Sequence, residues 1–198
     1  MKTCTIDGVT YEYHSWQDLG EALFHLSKKV MESGKSFDRL IALAKGGLTF
    51  SRSLVDYLDI KELSSFQIEF YTGINSTAKT PVITQNLAIS VRNEQVLLFD
   101  DVVDQGETMK MAVAYLKQQG AKEITTTSII SKPWSKFTPD FSAHVTDAWV
   151  IFPNESRETI RLLTKQWQQK GIQAPEIVDK LLQIGFPKEE VEFFTQIP

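Results

Sequence analysis

The chain has 198 residues, 42% of them hydrophobic and 23% charged, which suits one globular core domain with room for a small appendage. A net charge of −4 with no Lys/Arg cluster argues against a nucleic-acid partner. A single cysteine, Cys4, excludes an internal disulfide framework, and no apolar run approaches a membrane span or a signal-peptide core, so a cytoplasmic protein is expected.

In chain order, residues 3–13 alternate around Asp7-Gly8 and predict a small hairpin. Ser15 is placed to cap a helix whose inner face carries Trp16, Leu19, Leu23, Leu26 and Val30 and which ends near Gly34. Residues 38–43 predict a short buried strand. Ala44-Lys45-Gly46-Gly47 follows, then a helix from Leu48 to about Leu58 and a strand over 63–71. The segment 72–92 is polar and irregular, a loop long enough to be functional. Residues 123–130 predict a strand rich in β-branched side chains, and 145–152 one more. From Glu155 the pattern is helical, broken at Gly171, Pro175 and Pro187. Strands alternating with helices imply right-handed βαβ units, an α/β fold with a parallel sheet, and a ligand site at the carboxyl edge of the strands. The three loops after Leu43, Phe99 and Ile130 all leave that edge.

Residues 96–108, Val-Leu-Leu-Phe-Asp-Asp-Val-Val-Asp-Gln-Gly-Glu-Thr, are the most informative stretch. Four apolar residues predict a buried parallel strand, and Asp100 and Asp101 follow at once. A short loop with Asp104 and Gly106 then runs into a helical pattern in which Met109, Met111, Ala112, Tyr115 and Leu116 fall near one face. A loop opening a helix presents backbone N–H groups to an anion, most naturally a phosphate. Acids on the strand side suit sugar hydroxyls or a bridging metal. The combination asks for a ligand that carries both a phosphate and a polyhydroxy ring. The histidines show no metal-ligand spacing, and Trp16, Trp134 and Trp167 are expected as packing residues.

This stretch closely resembles the binding loop for phosphoribosyl pyrophosphate in type I phosphoribosyltransferases, and the resemblance extends over about residues 15–155. It implies a Rossmann-like parallel-sheet core with a small hood, residues 1–155, followed by a helical C-terminal extension, 156–198. It implies transfer of a phosphoribosyl group to a purine with release of pyrophosphate. Phosphoribosyl pyrophosphate would be held by Lys45, Gly46, Gly47, Asp100, Asp101, Asp104, Gln105, Gly106, Glu107 and Thr108, with Lys45 and Asp104 as the catalytic pair. In the family the loop matching Lys45-Gly46-Gly47 binds pyrophosphate, often through a non-proline cis peptide. Lys79, in a lid over 72–86, would cover the pyrophosphate.

Lys132 matches a lysine that contacts the exocyclic oxygen in members handling 6-oxopurines. The run 148–155 resembles their hood segment: Trp149 would stack on the base and Val150 would present backbone groups to its edge. Magnesium would be held by Asp100, Asp101 and Glu155. Two departures stand out. Gln105 replaces a small hydroxyl residue or Ala, which keeps the amide and removes a hydroxyl contact, and Asn154 stands where Trp is frequent. Two other readings stay open: a non-catalytic sensor of the sugar ligand, and a pyrimidine transferase. A homodimer is the expected assembly if the chain is not monomeric.

Overall fold

The computed structural model describes residues 1–72 and 79–196. By its internal contacts the chain divides into two compact units, Gly20–Asp147 and Met1–Leu19 with Ala148–Pro198.

The larger unit is built on a six-stranded sheet. Its strands are β3 (Arg39–Ala44), β4 (Glu62–Thr72), β5 (Lys79–Gln85), β6 (Gln95–Val103), β7 (Glu123–Ser131) and β8 (Phe141–Val145). Their order is β5-β4-β3-β6-β7-β8, and every neighbouring pair is parallel except β4 with β5. Leu40 to Leu43 and Val96 to Phe99 are all at most 2% exposed, so both faces of the two central strands are covered. That is why these strands read as unbroken apolar runs instead of alternating ones. Helix α2 (Gly46–Tyr57) follows β3, and α3 (Glu107–Gln118) follows β6. Met109, Ala112 and Leu116 of α3 share a core with Ile41, Leu43, Phe66, Val96 and Leu98 of the sheet. Truncating a fully buried side chain of this core, such as Phe66→Ala, costs about 3–5 kcal/mol.

The smaller unit has its own sheet and its own core. Strands β1 (Lys2–Ile6) and β2 (Val9–Tyr13) form the expected hairpin, turning at Asp7 (φ 51°) and Gly8 (φ 80°). Two successive positive φ angles make the turn whose twist matches the strands it joins. Strand β9 (Trp149–Ile151) pairs in parallel with β2. Helices α4 (Ser156–Gln169), α5 (Ala174–Ile184) and α6 (Lys188–Phe194) cover this sheet. Ile160, Leu163, Trp167, Ile177, Leu181 and Phe186 pack with Ile6, Tyr11 and Ile151. Pro175 lies in the first turn of α5 and Pro187 just before α6, where a missing N–H costs nothing.

Helix α1 (Trp16–Glu32) starts with a reciprocal cap. The Asp18 amide donates to Ser15 Oγ at 3.2 Å, and the Ser15 amide donates to Asp18 Oδ2 at 2.8 Å.

The structure corrects the sequence reading in several places. The polar segment over 72–92 is not one irregular loop, because Lys79–Gln85 pairs antiparallel with β4 as an edge strand. Pro81 is compatible with that position because one side of an edge strand needs no donors. The Lys79 side chain and residues 73–78, part of the expected lid, lie outside the described residues. The strand expected over 145–152 shortens to β9 beside β2, and a strand not expected, β8 beside β7, ends at Val145 where it was to begin. Trp16 and Trp134 are 60% and 46% exposed, so neither is a core residue, whereas Trp167 is buried. Helix α2 begins at Gly46, two residues earlier than predicted.

Candidate active site

The carboxyl ends of β3, β6 and β7 lie side by side, and each releases a loop with one group of the predicted residues. At β6 the strand runs past Phe99 and includes both acids, with Asp100 opposite Ser128 of β7. The Asp101 amide donates to Asp100 Oδ1 at 3.0 Å, and the Val102 amide donates to Asp101 Oδ1 at 2.8 Å. Burial raises the affinity of both carboxyls for a proton. Asp100 goes well above the usual carboxylate range because the charge of Asp101 beside it adds to burial. Two crowded acids at neutral pH invite a cation or a bank of hydroxyl donors.

The loop after β3 explains why Asp101 sits where it does. The Ala44–Lys45 peptide is cis, and Lys45 precedes the first residue of α2 with its side chain exposed. A Cβ on Gly46 would lie 2.1 Å from Asp101 Oδ2, and one on Gly47 would lie 2.8 Å from the Phe99 carbonyl oxygen. Only glycine leaves room for β6 at both positions. The two glycines thus press the loop after β3 directly against the acid pair. Lys45, Gly46, Gly47, Asp100 and Asp101 form one neighbourhood.

The loop after β6 closes with Gly106 at φ 84° as the residue before α3, and the Lys110 amide donates back to its carbonyl at 3.0 Å. The first amides of a helix have no intrahelical partner, so those of Glu107 and Thr108 suit an anion. A cavity of about 300 Å³ is lined by Phe70 and by every residue from Asp100 to Met109. All seven predicted residues of this stretch, Asp100, Asp101, Asp104, Gln105, Gly106, Glu107 and Thr108, line one space.

The loop after β7 carries Lys132, whose amide donates to the Val103 carbonyl at 2.9 Å. In the smaller unit, Trp149 leaves 45% of its surface exposed and lies 6.5 Å, ring to ring, from Tyr11. Its flat face is therefore not used up in the core. Val150 pairs with Glu12 of β2, and Glu155 ends the short 3-10 turn that leads into α4.

Two residues of this region escaped the sequence reading. Phe70 lines the cavity from the carboxyl end of β4, and Trp134 donates its indole N–H to Asp104 Oδ1 at 2.7 Å. The usable signal for Trp134 was its place: a tryptophan in a loop at the ligand edge, two residues beyond Lys132.

No three His, Cys, Asp or Glu side chains gather as a metal group among the described residues. Magnesium, however, takes one or two protein carboxylates and completes its shell with water and ligand oxygens. Asp100 and Asp101, hard oxygen donors whose negative charges oppose each other, fit that mode. No helix among the described residues is long and apolar enough to cross a membrane.

A parallel sheet with an acid pair, a glycine-pressed lysine loop and a helix-opening loop at one edge is an α/β protein with its candidate site at the carboxyl edge of the strands. The phosphoribosyl transferase domain model matches residues 10–157, and the chain belongs to that family. It is a transferase with the type I fold. A purine phosphoribosyltransferase from Pyrococcus horikoshii OT3 superposes with a TM-score of 0.65 at 32% identity, over 72% of this chain and 92% of that one. A hypoxanthine-guanine phosphoribosyltransferase of Bacillus subtilis is 26% identical over 139 residues, 64% of this chain and 77% of the relative. A xanthine-guanine phosphoribosyltransferase of Gluconobacter oxydans is 25% identical over 147 residues, 73% of this chain and 84% of the relative.

Proposed function

We propose that the protein moves the 5-phosphoribosyl group from phosphoribosyl pyrophosphate to a 6-oxopurine, releasing pyrophosphate, as a step of purine salvage. The observation that carries this reading is the cavity at the end of β6. Asp100 and Asp101 line it together with a third acid, Asp104, and the first residues of α3, which supports a ligand with hydroxyls and a phosphate. The relatives named hypoxanthine-guanine and xanthine-guanine phosphoribosyltransferase support the choice of base.

In this reading Gln105, Gly106, Glu107 and Thr108 hold the 5′-phosphate through backbone amides and the Thr108 hydroxyl. That anchor lies away from the reacting carbon, so its binding energy positions the sugar. Asp100 and Asp101 take the 2′ and 3′ hydroxyls and balance positive charge on the ribose as the bond from C1′ to the pyrophosphate oxygen breaks. Lys45 and the Gly46-Gly47 backbone receive the departing pyrophosphate. Asp104 accepts the proton from purine N7 while N9 bonds to C1′. Lys132 donates to the 6-oxygen, Trp149 stacks on the base, and Val150 offers its backbone groups. Magnesium, with Asp100 and Asp101 as protein donors, would supply neutralisation of the pyrophosphate charge. Residues 1–155 form the transferase portion, and the extension 156–198 completes the core beneath the hairpin.

The test is a pyrophosphate-release assay with magnesium, phosphoribosyl pyrophosphate and each nucleobase in turn. Release with a 6-oxopurine is expected. Ligand-induced melting shifts without release for any base would replace this reading with a non-catalytic sensor, and release with orotate or uracil alone would make it a pyrimidine enzyme. Asp104→Asn, at an exposed position, should fold normally and lose about 10²–10⁴-fold in turnover.

A further inference from the structure

The turn after β7 is fastened along the whole of the loop after β6. The Lys132 amide donates to the Val103 carbonyl at 2.9 Å, and the Lys136 amide donates to the Gln105 carbonyl at 3.3 Å. Gly106 packs so closely on this turn that a Cβ there would meet Phe137 Cβ at 2.5 Å. The Ser135 amide donates to the Lys132 carbonyl at 3.0 Å, which closes a turn with Pro133 and Trp134 at its centre. At the one remaining residue of the loop, Asp104, the link is made by side chains: the Trp134 indole N–H to Oδ1, at 2.7 Å. The same indole ring lies 5.5 Å from the Lys132 ammonium.

Trp134 is 46% exposed, so burial of its ring does not account for its place. What its ring and N–H contact does. A 6-oxopurine carries O6 and N7 side by side on one edge, both accepting hydrogen bonds when unprotonated. On the reading proposed above, Lys132 serves O6 and Asp104 takes the proton of N7. These two groups must therefore be held next to each other at one spacing. We infer that Trp134 is the positioning residue that sets this spacing: its N–H orients the Asp104 carboxylate and its ring face seats the Lys132 ammonium.

A carboxylate held at Oδ1 by a fixed indole presents Oδ2 for the proton, and a charge-assisted bond of this kind restricts it far more than water does. The ammonium over the ring is held by the weaker attraction of a cation to an aromatic face. The two contacts come from different parts of one side chain, so they can be removed separately. Trp134→Phe keeps a ring for Lys132 and removes the donor to Asp104. Trp134→Gln keeps a donor of similar reach and removes the ring.

Steady-state kinetics of the full chain with guanine separates the two contacts. Trp134→Phe should lower kcat by about ten- to a hundred-fold with the guanine KM little changed. Trp134→Gln should keep kcat within about threefold and raise the guanine KM by about three- to fivefold. In an Asp104→Asn background, Trp134→Phe should cause no additional loss, because the carboxylate it orients is gone. A purely structural role would lower both variants alike and add to Asp104→Asn, and either result overturns the inference. So does a Trp134→Phe enzyme with kcat within twofold of the parent. The inference rests on the assignment of Asp104 as proton acceptor, and the two failures look different. Near-normal turnover in Asp104→Asn removes that assignment, whereas an inactive Asp104→Asn beside an unaffected Trp134→Phe removes only Trp134.

Discussion

The two edges of the six-stranded sheet treat charge in opposite ways. At the amino edge, Arg39 donates to both oxygens of Glu94, at 2.8 and 3.2 Å, and to Glu62 at 3.1 Å. Glu94 and Glu62 hold its guanidinium above even its ordinary value. Lys35 reaches Glu123 at 2.8 Å, and Asp38 accepts the Gln95 amide at 2.7 Å. Opposite signs meet, and the chain supplies both. At the carboxyl edge, Asp100 and Asp101 stand side by side; burial works against ionisation of both, and the charge of Asp101 adds to it at Asp100. The contrast teaches where the protein carries its cost: one end of the strands is electrostatically closed, and the other is held in a state that only a ligand with hydroxyls or a cation relieves.

Forcing the acid pair out of place tests the contrast most severely. Gly46→Ala puts a methyl group where Asp101 Oδ2 now lies, so the carboxylate must move. A displacement of about 1 Å in such a site costs about a hundredfold, and kcat/KM should fall at least that far in the pyrophosphate assay.

The matching break at the closed edge is Arg39→Ala. Its side chain is only 12% exposed and leaves Glu94 without its bidentate partner, so unfolding in urea should register a loss of about 2–3 kcal/mol. The kcat of this variant should remain that of the parent.

Asp100→Asn should sharpen the contrast by moving stability the other way. A carboxyl whose affinity for protons is raised by folding stabilises the fold in acid and loses that contribution as pH rises through the raised value. The amide does not titrate. With EDTA present the variant should match the parent in acid and exceed it by on the order of 1 kcal/mol at pH 8, while losing sugar binding. A parent as stable as the variant across that range would show that the pair carries no cost.

The smallest effect belongs to Lys35→Ala, which removes an exposed pair with Glu123 and should change stability by less than about 1 kcal/mol with activity intact.

Much of this was legible before any coordinates. The order of strands and helices, the hairpin at Asp7-Gly8 and the cap at Ser15 follow from local rules of turn chemistry, capping and periodicity. So does the strand–acid–loop–helix run at 96–108, because fully buried central strands leave unbroken apolar text and a helix start leaves glycine and polar residues. Other features had no local mark. Residues 79–85 look like loop until β4 provides an edge to pair with, and 141–145 carry no strand signal until β7 provides one.

The sequence by itself determined an α/β chain with a sugar-phosphate loop after a central strand, because those features are written in neighbouring residues. Only the tertiary structure decided that Gly46 makes room for Asp101, that Trp134 holds Asp104, and that the last three helices share a core with the first two strands. Each of these joins residues tens of positions apart or more, and such contacts depend on how the chain returns to itself rather than on the order of residues within any one segment.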